Sequence, residues 1–261
     1  MHLSADQLTA FYASPLGRVV RQHVRQEIRA MWPSTTAARV VGLGHTTPYL
    51  RPFLSEAERV LALMPAAHGV VHWPKEGPNL TALSYETELP LPDASVDRIV
   101  MVHLLEATSD PFAVMREAWR VLVPSGMLLA IVPYRSGPWA RADHTPFGHG
   151  RPYSRFQLAE LMASAWFDVT RTNRFLFTPP SGRRVVLVQT RAWERIGGKV
   201  WPRFAGMVSM EATKVMSRGI PVKKSSRAAL PIFVPGLRPQ PAACVSVSDM
   251  AEHPTVERGP R

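Results

Sequence analysis

Cysteine is almost absent from this chain: of 261 residues only Cys244, near the C-terminal end, is a cysteine. A lone thiol excludes an intrachain disulfide and any cluster of cysteine metal ligands. Long apolar runs are missing as well, and no stretch reaches the ~18 consecutive apolar residues that a membrane span needs. The opening residues, Met1-His2-Leu3-Ser4-Ala5-Asp6, lack the basic-then-apolar layout of a secretion signal. A cytoplasmic protein with no membrane span is therefore expected. Extended basic runs are the third absence. The net charge is +11, yet no run of Lys and Arg exceeds the pairs Arg183-Arg184 and Lys223-Lys224. The excess is spread as +3 over residues 1–39, +4 over 40–216 and +4 over 217–261. Such a spread permits attraction to acidic partners but gives only weak support to a nucleic-acid surface. A small molecule is the stronger partner candidate. No internal repeat is visible.

What is present is alternation. Residues 5–13 and 16–32 read as two helices broken at Ser14-Pro15. In the second, Val19, Val20, His23, Val24, Ile28 and Met31 form an apolar stripe, and Arg18, Arg21, Arg25 and Arg29 occupy much of the remaining face. Short apolar runs at 38–43, 59–64, 79–85 and 99–104 read as four strands, with a helix or irregular turn from Thr47 to Leu54 after the first. Residues 112–122 carry Phe112, Met115, Trp119 and Leu122 at helical spacing, and Pro124-Ser125-Gly126 is the expected stop. Residues 127–132 are apolar at every position, the mark of a strand covered on both faces of a parallel sheet. Ser154 is a suitable N-cap for a helix over 154–165. Residues 167–177 alternate as a strand, 183–200 can be drawn as an amphipathic helix, and 207–214 read as the last strand. Residues 217–261 hold seven prolines and little periodicity, so a disordered, basic, Pro-rich tail is expected there. Strands alternating with helices imply an α/β fold with a doubly wound, mostly parallel sheet over 38–216, preceded by a helical cap over 1–37.

The most specific block opens with Leu89-Pro90-Leu91-Pro92-Asp93-Ala94-Ser95-Val96-Asp97 and closes with Glu117-Ala118-Trp119-Arg120-Val121-Leu122-Val123-Pro124-Ser125-Gly126. It resembles the second half of a class I S-adenosylmethionine-dependent methyltransferase, in the type 11 branch that carries an "LPFPD-x-SFD" opening and an "E-x-x-RVLKPGG" close. The resemblance implies a seven-stranded Rossmann-like sheet with an antiparallel end and S-adenosylmethionine as cofactor. The ligand would sit beyond the carboxyl ends of the strands, at the topological switch point.

Residues 39–50 stand where that family has its first motif, hydrophobic-hydrophobic-acidic-hydrophobic-Gly-x-Gly-x-Gly. Here Gly42 takes the acidic position, Gly44 keeps the first glycine, and Thr46 and Pro48 replace the other two, a degenerate version. By the resemblance, Gly42, Gly44, His45, Thr46 and Thr47 would meet the methionine end and ribose of the cofactor. Met64 ends the second strand, where the family places a ribose-binding acid. Glu86 would lie near the adenine amino group, and His103 and Leu104 near the sulfonium. A carboxylate on the ribose contributes ~1.5–3 kcal/mol, about tenfold to 150-fold in affinity, so its absence weakens a site without abolishing it. An ordinary strand-to-helix turn at 39–50, and a satisfied edge residue at His103, are the plainer alternatives. Asp97, Glu117 and Arg120 are expected to fix loop and strand geometry.

Methyl transfer from a sulfonium is an in-line displacement that needs alignment and exclusion of water. A general base is optional, so spacing defines no triad. The candidates come instead from the loop over 134–153, where two histidines and three arginines alternate with four aromatics. Tyr134, Arg135, Trp139, Arg141, His144 and Phe147 are the substrate candidates, with arginines to pair an anion. His144 and His149 are the catalytic candidates, as proton acceptors. Their spacing alone is too weak for a metal site, and none is expected. Phe11, Tyr12 and Arg18 could close over the cofactor, packing being the plainer reading for each. The expected activity is methyl transfer to an unidentified, small-molecule acceptor. The alternatives are an inactive methyltransferase-fold binding or regulatory protein, and a nucleic-acid methyltransferase or binder. The last lacks the Pro-Pro-Tyr type tetrapeptide after the fourth strand; His103-Leu104-Leu105-Glu106 stands there instead.

Overall fold

A computed structural model describes residues 4–67 and 69–216. The chain divides into two compact units, Met1–Gly219 and Ile220–Arg261; the second, with the expected tail at 217–261, lies outside the described residues. The chain starts with α1 (Ala5–Ala13) and α2 (Pro15–Met31). Ser4 caps α1 in a reciprocal box with Gln7, satisfying amide donors that a helix start leaves open. Ser14 closes α1 and caps α2, and Pro15 opens α2 at its first turn, where no amide is needed. The expected break at Ser14-Pro15 is thus a shared cap.

Seven strands follow: β1 (Arg39–Gly44), β2 (Arg59–Pro65), β3 (Thr81–Ser84), β4 (Val96–Val102), β5 (Leu122–Pro133), β6 (Phe167–Phe175) and β7 (Met207–Lys214). Their spatial order is β3-β2-β1-β4-β5-β7-β6. The first five are parallel to their neighbours, while β7 runs antiparallel to both β5 and β6. The order reverses between β1 and β4, which makes their carboxyl ends the switch point. Interleaved are α3 (Thr47–Leu50), α4 (Pro111–Val121), α5 (Arg155–Ser164), α6 (Arg184–Val188) and α7 (Thr190–Val200).

Each sheet face buries its own core. One holds Val41, Ile99, Met101, Leu128 and Ala130 under α4 and α5, through Val114, Met115, Leu158 and Met162. The other holds Val40, Ala62, Val100, Leu129 and Ile131 under α2, through Val20, Val24 and Ile28. Full burial of each such aliphatic chain contributes about 1.5–3 kcal/mol. The stripe on α2 is therefore what holds the N-terminal helices on the sheet, and an acidic residue at Val24 would break it.

Several boundaries differ from the sequence reading; β4, for one, runs from Val96 to Val102 rather than over 99–104, and β3 from Thr81 to Ser84 rather than over 79–85. Pro124-Ser125-Gly126 lies within the span of β5, which begins at Leu122, five residues early; Leu122 already pairs with Val96, and the register shifts before Met127. Ser125, at φ +61°, absorbs the irregularity. The expected helix over 183–200 is two helices parted at Gln189. The sixth strand stops at Phe175 because Leu176 turns to φ +63°.

Candidate active site

The site grows from the carboxyl ends of β1 and β4, which lie in register, Gly44 beside Val102. Gly44 holds φ +86°, and a side chain there would run into the Val102 carbonyl oxygen. Glycine is demanded by the junction itself. A Cβ on Gly42 would collide with the Thr46 hydroxyl. His45, Thr46 and Thr47 are all buried, and the His45 amide donates to the Val102 carbonyl at 2.9 Å. The first-motif residues are therefore packed against one another.

Immediately beyond β4, His103 adopts φ +55°, a left-handed conformation uncommon outside glycine and found disproportionately at functional positions. The turn carries its ring inward. Nδ1 lies 3.2 Å from Glu106 Oε1, and Nε2 lies 2.7 Å from the Tyr12 hydroxyl. Exposure is 3% for Tyr12, 4% for His103 and 5% for Glu106. An ionised carboxylate only accepts, so a neutral His103 carries its proton on Nδ1 and receives the Tyr12 O–H at Nε2. The result is a relay, Tyr12 to His103 to Glu106, in which Glu106 fixes the tautomer and orients the ring. The second Glu106 oxygen, Oε2, is buried with no hydrogen-bond partner. Burial pushes the Tyr12 phenol well above the usual range, with Tyr49 and Glu106 adding to the shift.

An aromatic cap covers this relay. The Phe147 ring stands 4.9 Å from His103, Trp139 stands 5.3 Å from Phe147, and Tyr12 stacks on His45 at 5.6 Å. Trp139 is fixed by its indole N–H, which donates to the Thr178 carbonyl at 2.7 Å. Thr178 is held in turn by the Glu194 carboxylate of α7, which accepts from its amide and its hydroxyl.

The loop over 134–153 thus contributes its rings, Phe147 and Trp139, to the strand ends. Its histidines go elsewhere: His144 Nε2 lies 2.9 Å from the Pro180 carbonyl, and His149 Nε2 lies 2.9 Å from the Asp143 carbonyl. Arg135 and Arg141 are exposed, and Tyr134 is buried in the core of the α4 and α5 face. The loop is tied down by the Arg151 amide on the Glu106 carbonyl and by the Tyr153 hydroxyl on the Leu105 carbonyl. Glu106 and Tyr49 did not stand out in the sequence. A His-x-x-Glu spacing directly after an apolar strand was the available sign for Glu106.

On the other side of Gly44, the strand ends enclose a cavity lined by Gly44, Met64, Pro65, Glu86, Leu89 and Leu104. These include the residues expected at the nucleoside. Glu86 lies at its edge and accepts from the Thr108 hydroxyl at 3.2 Å. The cavity measures about 10 Å³. That is the room for roughly one water, against about 300–1,000 Å³ for a small-molecule site. Among the described residues, no group of three or more His, Cys, Asp or Glu gathers as metal ligands.

Residues 40–130 match the family described as a methyltransferase domain. A probable S-adenosylmethionine-dependent methyltransferase of Mycobacterium tuberculosis is 29% identical over 181 residues, 65% of each chain. Another, from Mycolicibacterium smegmatis, is 39% identical over 87 residues, 33% of this chain and 34% of its own. The chain thus spans between about a third and 65% of the curated relatives it matches. A Thermotoga maritima structure, described as a possible histamine N-methyltransferase, covers 80% of this chain and 95% of its own, with a TM-score of 0.58 and 18% identity. A SAM-dependent methyltransferase from Archaeoglobus fulgidus covers 74% and 94%, with a TM-score of 0.54 and 16% identity. These two establish the fold. The fold is that of the class I S-adenosylmethionine-dependent methyltransferases, and within it residues 40–130 are similar to the methyltransferase-domain family.

These relatives imply S-adenosylmethionine as the cofactor, and the site as described is closed to it. β2 ends in Met64-Pro65 with no acidic residue, the cavity lined by Gly44, Met64 and Glu86 holds about one water, and Tyr12 stacks on His45.

Proposed function

We propose that this protein is an S-adenosylmethionine-dependent methyltransferase acting on a small-molecule acceptor. The match of residues 40–130 to the methyltransferase domain, on a sheet ordered β3-β2-β1-β4-β5-β7-β6, carries this reading. Support within the chain comes from the switch point. His103 stands at the end of β4 with Glu106 behind it, a dyad suited to take the proton that an acceptor hydroxyl or amine releases. Its Nε2 is engaged by Tyr12, so the acceptor and the cofactor need Tyr12 to withdraw. The shared cap at Ser14 makes α1 the natural moving part. The aromatic cap of Phe147 and Trp139 would exclude water once it closes again. Gly42, Gly44, Thr46, Thr47, Met64, Glu86 and Leu104 are the proposed cofactor contacts in the open state. Tyr134, Arg135, Arg141, His144 and His149 have a weaker claim on the substrate than Phe147 and Trp139.

The closed cavity and the acid-free end of β2 favour a second reading, a methyltransferase fold that binds a partner without catalysis. Calorimetry of the full chain with S-adenosylhomocysteine separates the two. The enzyme reading expects saturable binding in the range of tens to hundreds of micromolar, weaker than an acid-bearing site by the tenfold to 150-fold estimated for the absent carboxylate. It also expects faster amide exchange over residues 5–14 when the ligand is bound. Absence of heat up to about a millimolar, some 4 kcal/mol of affinity, would overturn it in favour of the second.

A further inference from the structure

The segment from α6 to the turn after α7 presents a surface that the site does not use. Val188 is 76% exposed, Phe204 59%, Val200 58%, and Trp201 and Ile196 about half. Large apolar side chains at such exposure are gathered here within seventeen residues of the chain. The same stretch, 183–204, carries six basic residues and one acid. That acid, Glu194, is turned inward, accepting from the Leu176 and Thr178 amides. Outward charge is thus mainly positive: Arg183, Arg184, Arg195 and Arg203 are all exposed, while Glu194 is partly covered. Ile196 and Val200 stand one helical turn apart on α7, with Arg195 on the neighbouring flank.

A second observation lies on the other flank of α7, because Gly198 is two residues from both Ile196 and Val200. Gly198 of α7 forms one wall of a groove of about 230 Å³, otherwise lined by Arg155, Thr172, Asn173, Arg174 and Phe177. Its lining holds two guanidinium groups and no carboxylate, a setting for a phosphate oxyanion. Exposed Trp, Phe and aliphatic chains beside a basic flank, with an anion groove on the far side of that flank, match the requirements of an interface between anionic headgroups and acyl chains. A protein partner would leave the excess of outward cations unexplained. Among the described residues, no helix is long and apolar enough to cross a membrane, so such contact would be peripheral.

We infer that α6, α7 and the Arg155–Arg174 groove form a docking surface for an anionic lipid bilayer. The full chain should co-sediment with phosphatidylcholine vesicles that carry phosphatidylglycerol, with a blue shift of tryptophan emission. Pure phosphatidylcholine vesicles should retain it weakly, and added salt should release it. The double variant Ile196→Asp, Val200→Asp should lose binding at least ~10-fold. Arg155→Gln with Arg174→Gln should lose roughly 10- to 30-fold on anionic vesicles, from the attraction each cation contributes. Both pairs alter side chains at the surface, so unchanged thermal unfolding is the control. Failure to sediment with anionic vesicles at low salt overturns the inference. So does full retention by both variants, which would assign binding to the basic stretch at 217–261. A size-exclusion shift to a smaller species in the apolar variant, without vesicle binding by the parent chain, would show a second copy on this face and likewise refute it. Each outcome is independent of cofactor binding, so it is read apart from the methyltransferase proposal.

Discussion

The two ends of β4 hold polar residues under opposite terms. At the amino end, Asp97 accepts from the Arg39 amide at 2.9 Å and from its guanidinium at 2.8 and 3.2 Å, with a side chain 31% exposed. Beside it, Arg120 binds Glu117, Asp93 and the carbonyls of Leu89 and Leu91. These charges are paired, hydrogen-bonded and partly solvated, so they clamp the Leu89-to-Asp97 loop at little desolvation cost. At the carboxyl end, His103 and Glu106 are nearly sealed, one backbone torsion is left-handed, and Glu106 Oε2 is without a hydrogen bond. A stability role rewards the first arrangement. The second is costly unless the groups do chemistry or wait for a ligand.

The sharpest way to break this comparison is Gly44→Val. The new side chain must tolerate φ +86° and meet the Val102 carbonyl at the carboxyl end of β4. Strain and overpacking together should cost roughly 3–5 kcal/mol, much of the stability of an ordinary domain. The urea midpoint should fall steeply, with insoluble expression as the extreme. A variant that unfolds like the parent but no longer binds S-adenosylhomocysteine would show instead that Gly44 serves the ligand alone.

How much of this was legible in the chain follows from which forces act locally. The β4–α4–β5 block is readable because apolar runs and helical spacing report burial directly, and Asp97, Glu117 and Arg120 keep the structural roles expected of them. The turn signal at Pro124-Ser125-Gly126 is real, but cross-strand pairing of Leu122 with Val96 recruits the preceding residues into the sheet. The relay is harder to foresee, since Tyr12 and His103 lie 91 residues apart and meet only through packing of α1 and α2 on the sheet. Ring direction in the 134–153 loop is likewise tertiary. Spacing offers His144 and Phe147 equally, and the backbone sends one to a carbonyl and the other to His103.

The carboxyl end can also be sharpened by pH. Burial raises both Tyr12 and Tyr49 above the ordinary phenol value, near 10 in an unfolded chain. A raised folded value contributes stability that is whole below pH ~10 and lost as the pH climbs through the folded value. Tyr12→Phe removes one of the two phenols. Parent stability should therefore fall more steeply than the variant's above pH ~10, by about 1.4 kcal/mol per pH unit for one proton. At neutral pH the variant should be weaker by about 1 kcal/mol, for the lost hydrogen bond to His103. Parallel alkaline limbs in urea titrations would mean that Tyr12 is not sealed.

The amino end should respond in acid, and more gently. Hydrogen bonds from Arg39 hold the Asp97 carboxyl below its usual range, against a smaller opposing push from burial. A depressed folded value contributes stability that is present above about pH 4 and lost as the pH falls through the folded value. Asp97→Asn cannot titrate, so the parent should unfold at higher urea than the variant near neutrality, and the gap should close as the pH drops below about 4. Because the pair is partly solvated, added salt should narrow the same gap at neutral pH. The Tyr12 difference should be insensitive to salt, since it arises from burial. If both ends answered salt and acid alike, the division between a solvated clamp and a sealed relay would fail, and with it the reason for assigning chemistry to the carboxyl end of β4.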